Sequence, residues 1–184
     1  NLVIVLRLSE AYGTPATEFT YSYQQTFSLL KNLSIFVKNN NFSKITFCLH
    51  PSTKLRRIKT LINKFEWPQY ILTFKYFLSF ADKNTLIIGS YTSVLLHSAL
   101  AGLPTICLND HIIKRLKEDE PLIFKVYKMS PISFCDVSSN SLSAVFKNID
   151  MNSFDKFCIE DIAEKQNVSN SSYLINVANY NFLK

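Results

Sequence analysis

Residues 85–109, TLIIGSYTSVLLHSALAGLPTICLN, constrain the fold more than any other part of the chain. The stretch starts as a short apolar run, breaks at Gly89-Ser90 and resumes with helical spacing from about Ser93. It breaks again at Gly102-Leu103-Pro104 and closes on a second apolar run, Thr105 to Leu108. This reads as strand, small-polar turn, helix, tight turn, strand. In an open parallel sheet such a unit sets the helix N-terminus beside the strand's carboxyl end. The N–H groups of the first helical turn lack helical partners and the helix dipole favours negative charge, so an anion such as a phosphate binds there.

The rest of the chain repeats the alternation. Leu2 to Leu8 reads as a buried strand, followed by a polar loop over Ser9 to Thr20. Tyr21 to Lys38 carries an apolar helical stripe at Phe27, Leu30, Leu33 and Val37, stopped by Asn39-Asn40-Asn41. Lys44 to Leu49 is a second strand, ending at His50-Pro51. Thr53 to Phe65 is a second helix with Leu55, Ile58, Leu61, Ile62 and Phe65 on one side and Lys54, Arg56, Arg57, Lys59 and Lys64 on the other. Tyr70 to Thr73 fits a short strand and Lys75 to Ala81 one or two helical turns. Beyond Asn109, helix is expected over Ile112 to Lys117, Ser141 to Asn148 and Phe154 to Lys165, and Phe124 to Tyr127 and Ile132 to Phe134 fit short strands or loop. The whole implies one α/β, Rossmann-like three-layer domain: a parallel sheet covered on both faces, with a helical tail over 150–184.

Size and charge bound the function. A chain of 184 residues, 47% hydrophobic, fills one core readily and suits a single domain. The net charge of +6 fits an anionic partner, whether a nucleotide, an acidic lipid surface or nucleic acid, and also an ordinary basic surface. The aromatics lack the regular interleaving with basic residues expected of single-strand binders, so no nucleic-acid partner is expected. The four cysteines, Cys48, Cys107, Cys135 and Cys158, form no CxxC, which points to a reducing compartment and no metal site. No apolar run reaches the ~18 residues of a membrane helix. The expected location is cytoplasmic, with the basic helix face allowing a peripheral contact at the anionic inner surface of the membrane. The chain opens at Asn1 directly before a strand, so it reads as a piece of a larger protein.

Three loops carry candidate chemistry. His50-Pro51 follows the second strand, and proline restricts the residue before it to extended backbone, which aims the imidazole. A histidine so placed donates to a phosphate or protonates a leaving group, although a strand-end histidine without a role has the same sequence. The turn Gly89-Ser90-Tyr91-Thr92-Ser93 offers the hydroxyls of Ser90, Thr92 and Ser93, of which an N-cap explains only one. No G-x-x-x-x-G-K-[ST] motif is present, so this is not a P-loop. Arg7-Leu8-Ser9-Glu10 closes the first strand, and Glu10 is the candidate general base or hydroxyl-binding group, equally readable as a solvated loop carboxylate. His97 is expected to pack inside its helix, and His111 follows a strand near the cleft.

Strand–RLSE, strand–HP and strand–GSYTS–helix occur in one order, and with them the chain resembles the C-terminal nucleotide-binding domain of bacterial sialyltransferases of the two-Rossmann-domain (GT-B) architecture. These include the lipooligosaccharide sialyltransferases and the capsular polysialyltransferases. The family's HP and paired Ser/Thr motifs correspond to His50-Pro51 and Thr92-Ser93, over a likeness spanning Leu2 to Ser143. The resemblance implies a glycosyltransferase domain that binds a CMP-activated sugar, sialic acid or a relative, and transfers it with inversion to a glycan or glycolipid acceptor. It implies His50 on the donor phosphate assisting departure of CMP, the hydroxyl pair on the same phosphate, and no metal or other cofactor. Pro51, Gly89 and Ser90 complete the implied nucleotide site. The family's general base lies in a D/E-D/E-G motif, which this chain lacks, since Glu118-Asp119-Glu120 is followed by Pro121. The base is therefore expected in an upstream acceptor domain or replaced. Bacterial Kdo transferases share the HP motif. A transferase using a UDP-sugar, and a non-catalytic nucleotide-binding or scaffold module of a capsule or lipooligosaccharide assembly system, remain open on the same residues.

Overall fold

The computed structural model describes residues 1–5, 21–49, 53–75, 81–82 and 84–149. Within them six strands and six helices follow one another: β1 (Leu2–Val5), α1 (Tyr23–Asn39), β2 (Ile45–Cys48), α2 (Leu55–Ile62), β3 (Tyr70–Thr73), β4 (Leu86–Gly89), α3 (Ser93–Leu100), β5 (Thr105–Leu108), α4 (His111–Asp119), α5 (Pro121–Met129), β6 (Ile132–Cys135) and α6 (Ser139–Asn148). The strands form one all-parallel sheet in the order β3-β2-β1-β4-β5-β6. This is the doubly wound, Rossmann-like arrangement expected from the sequence, with the winding direction reversing between β1 and β4.

The period of two along each strand divides the core. Leu2 and Ile4, Ile45 and Phe47, Leu86 and Ile88, and Ile106 and Leu108 point to one face. There they meet Leu29, Leu30, Leu33 and Phe36 of α1, Ile58, Leu61 and Ile62 of α2 and Leu142 of α6. Val3, Val5, Ile87 and Cys107 point to the other, against Leu95 and Ala99 of α3, Ile113 and Leu116 of α4 and Tyr127 of α5. The inner strands β2, β1, β4 and β5 are thus buried on both sides, which is why their runs read as continuously apolar, whereas the edge strand β3 is half-exposed.

Local chemistry sets the helix ends. Ser22 caps α1 in a reciprocal capping box with Gln25. The helix α3 closes in a Schellman motif: Gly102 N–H donates to Ala99 O at 3.0 Å and Leu103 N–H to Ser98 O at 2.9 Å. Gly102 takes φ 74°, the left-handed conformation that glycine adopts without a Cβ clash. Asn40 caps α1, and Asn41 follows it at φ 48°.

Three expectations are corrected. Phe124 to Tyr127 is helical, within α5; Pro121 at the first helical position pre-sets φ, and the alternating sequence wraps so that Val126 and Tyr127 are buried while Leu122 is 74% exposed. Phe27 and Leu55, assigned to buried stripes, are 38% and 46% exposed. The buried side of α2 is set by Ile58, Leu61 and Ile62, and Leu55 falls at its rim. The Lys75 to Ala81 turns at 76–80, the helix over Phe154 to Lys165 and the tail over 150–184 lie outside the described residues. No described helix is long and apolar enough to cross a membrane.

Candidate functional site

At the reversal point α1 packs on one face of the sheet and α3 on the other, the arrangement that in doubly wound sheets places a crevice at the carboxyl ends of the flanking strands, here β1 and β4. The two strands run in register, with Val5 opposite Gly89. A Cβ built on Gly89 would stand 2.3 Å from the Val5 carbonyl oxygen and 3.2 Å from Leu95 Cδ2. Glycine is required here by close backbone approach, which brings the following turn tight against the end of β1.

That turn holds the predicted hydroxyls together. Ser90 is fully buried, and its Oγ meets no hydrogen-bond partner by geometry among the described residues. Thr92 is the N-cap of α3, its Oγ1 accepting from Val94 N–H at 3.1 Å. The cap consumes an acceptor lone pair and leaves the hydroxyl proton free to donate. Ser93 follows at the first helical position, exposed, with an N–H that has no helical partner. The Tyr127 hydroxyl donates to the Thr92 carbonyl, and Tyr91 packs on the Tyr127 ring at 5.3 Å. A hydroxyl pair at 2.8 Å, Ser98 to Thr105, joins α3 to β5. The N-terminus of α3 is therefore held from α5, while α3 itself is tied to β5.

A second cluster borders the turn. Asp110 caps α4, its Oδ1 accepting from Ile112 N–H at 2.9 Å and Ile113 N–H at 3.2 Å. Its Oδ2 accepts from the hydroxyl of Tyr21, the residue just before the α1 cap. Burial, then the Asp110 charge, holds the Tyr21 phenol well above its ordinary pKa of 10.0. Ser90 lies close enough to that phenol to favour its ionised form slightly, without completing a hydrogen bond by geometry. His111 stands edge-on to the Tyr21 ring at 5.3 Å, with Nδ1 3.5 Å from Gln25 Nε2. Tyr21 thus connects the start of α1, the β4–α3 turn and the start of α4 around one crevice.

Gly89, Ser90, Thr92 and Ser93 lie together in the β4–α3 turn. Glu10, His50 and Pro51 lie outside the described residues. The strand leading to His50 ends at Cys48, in register with Val5 and through it with Gly89, and Leu49 N–H extends the pairing to Thr73 O at 2.8 Å. His97 packs inside α3, where burial lowers its pKa. Glu118 and Asp119 at the end of α4 pair with Arg115. Burial raises the thiols of Cys48, Cys107 and Cys135, the last to about 12, so none is a thiolate at neutral pH. Sequence reasoning missed Tyr21, Asp110 and Tyr127. Asp110 was legible as an N-cap before Ile112-Ile113, whereas the partners of both tyrosines, 89 and 35 residues away in the chain, leave no local signal.

Fold and turn together define a Rossmann-like α/β domain with a hydroxyl-bearing turn and a helix N-terminus at its switch point. No family model, curated protein or solved structure matches the chain.

Proposed function

We propose that this domain binds a CMP-activated sugar, sialic acid or a relative, as the nucleotide-binding half of a metal-independent GT-B glycosyltransferase. The observation that carries the anion site is the buried Ser90 hydroxyl, without a hydrogen bond by geometry among the described residues, beside the capped N-terminus of α3 at the sheet's switch point. A buried hydroxyl without a partner costs about 1–3 kcal/mol, and a ligand oxygen received there recovers it. The HP and Thr92-Ser93 pair, one on each side of the reversal in the sequence order, selects the CMP-sugar class.

In this reading the donor phosphate lies over the turn. The Ser93 N–H, the Ser90 and Thr92 hydroxyls and the helix dipole face the charge that builds on the phosphate as the glycosidic bond breaks. Each 1.4 kcal/mol of extra stabilisation at that moment is about tenfold in rate. His50 delivers the proton or hydrogen bond that lets CMP depart. The acceptor's proton goes to a carboxylate, Glu10 or one supplied from an upstream domain. Asp110 is excluded from that role because its oxygens are taken by the α4 cap and by Tyr21. The acceptor is a glycan or glycolipid.

The test is a thermal-shift panel of CMP, UMP, UDP and GDP, with and without EDTA. At 100 times its dissociation constant a ligand adds about 2.7 kcal/mol, or roughly 5–11 °C for a domain of this size. CMP should stabilise most and keep its effect in EDTA. Strict dependence on Mg²⁺ or a clear preference for UDP refutes the CMP reading, and no stabilisation by any nucleotide refutes the site.

A further inference from the structure

Away from the crevice, α1 and α2 form a basic wall that the proposed reaction does not use. A cleft of about 440 Å³ lies between Tyr23, Arg56, Arg57, Thr60, Leu61 and Lys64. Lys54, Arg56, Arg57, Lys59 and Lys64 are all exposed, and none pairs with a carboxylate among the described residues. No acid occurs between Thr53 and Phe65. The first to follow, Glu66, is engaged by Lys38. Five cations within 11 residues, with no paired counter-charge among the described residues, repel one another and hold a positive potential.

Apolar side chains stand among them. Tyr23 is 42% and Phe27 38% exposed, and Leu55, at the first turn of α2, is 46% exposed. A soluble phosphate has no use for Leu55 or Phe27. A stacked base needs a free aromatic face, but the Tyr23 ring already carries the Lys64 ammonium, 5.0 Å from its centroid, and stacks against Phe27. Cations interspersed with exposed leucine and aromatics match instead a surface that is anionic at its headgroups and apolar just beneath.

We infer that the α1–α2 wall, centred on Arg56, Arg57 and Lys64, docks the domain on an anionic phospholipid bilayer. The lipid phosphates meet the cations, and Leu55, Tyr23 and Phe27 enter the headgroup–acyl boundary. Sugar transfer at the crevice plays no part in this contact, so it is tested separately from nucleotide binding.

The experiment is co-sedimentation of the 184-residue chain with phosphatidylcholine vesicles, with and without phosphatidylglycerol, at low and high salt. Binding should require phosphatidylglycerol and fall with salt. Each cation near an anionic membrane is worth roughly a fivefold change in partitioning. Arg56→Glu with Arg57→Glu, which removes two cations and adds two anions, should therefore lower it by about 25-fold or more. Lys59→Ala with Lys64→Ala should also lower it, and serves should the reversal variant lose its circular dichroism. Leu55→Ser should weaken binding several-fold, and millimolar inorganic phosphate should not displace the protein. Equal binding to neutral vesicles, no binding to either, unchanged partitioning in a folded charge variant, displacement by inorganic phosphate or a stronger preference for a single-stranded oligonucleotide each overturns the proposal.

Discussion

Substituting Gly89 by alanine tests the geometry on which the crevice depends. The added methyl would sit 2.3 Å from the Val5 carbonyl oxygen, 3.3 Å from its carbon and 3.2 Å from Leu95 Cδ2. Leu95 has room to turn, but the carbonyl belongs to the backbone of β1, which pairs with both β2 and β4. About 0.7 Å of separation must open to reach even a tight 3.0 Å contact, in a region where Leu2, Ile4, Leu86 and Ile88 are at most 1% exposed. Overpacking a core costs about 1–3 kcal/mol, and weakening a ladder hydrogen bond adds about 1 kcal/mol. Alanine's smaller loss of chain entropy returns about 0.4–1 kcal/mol, leaving a net cost of about 2 kcal/mol. That is a Tm drop of roughly 4–9 °C at this chain length, or a shift of about 0.7–2 M in the urea midpoint. Urea unfolding followed by far-UV circular dichroism measures it, with Ser93→Ala, at the exposed first position of α3, as the control. A Gly89→Ala domain within about 0.5 kcal/mol of the parent would refute the close approach of β1 and β4, and with it the shape of the turn.

Three further outcomes are expected. Tyr21 has a folded pKa above its unfolded value, so its contribution is complete below about pH 10 and is lost as pH rises further, at about 1.4 kcal/mol per pH unit. Cys107 and Cys135 share the sign from about pH 9 upward. Urea midpoints for Tyr21→Phe should lie below the parent's at neutral pH, because Asp110 loses a donor, yet fall less steeply between pH 10 and 11; parallel slopes would dismiss the Tyr21–Asp110 bond. Thr92→Ala with Ser93→Ala should cost about 0.5–2 kcal/mol of stability through the cap and weaken nucleotide binding more than that, as read by calorimetric titration; full affinity in the folded variant moves the anion site elsewhere. In a catalytically active form of the protein, His50→Ala should lower kcat by roughly 10²–10⁴ with little change in Tm, and near-normal turnover returns His50 to a strand-end residue without a role.

The sequence by itself determined the elements and the kind of sheet they form. Unbroken apolar runs such as Leu86-Ile87-Ile88 and Thr105 to Leu108 can be buried only on both faces, and Gly102-Leu103-Pro104 can end a helix only by turning sharply. The hydroxyl turn after β4 was legible for the same reason, since capping and turn chemistry act between residues a few positions apart. Helix or strand over Phe124 to Tyr127 was not decided locally, because an alternating pattern four residues long fits both periods until Pro121 and the packing on β6 choose. Tertiary structure alone decided that β1 lies beside β4, and therefore that Gly89 must be glycine and where the crevice opens. It also decided that Tyr21 reaches Asp110 and Tyr127 reaches Thr92. Those contacts join residues far apart in the chain, and such pairs are set by the closing of the whole sheet rather than by any pattern a local window contains.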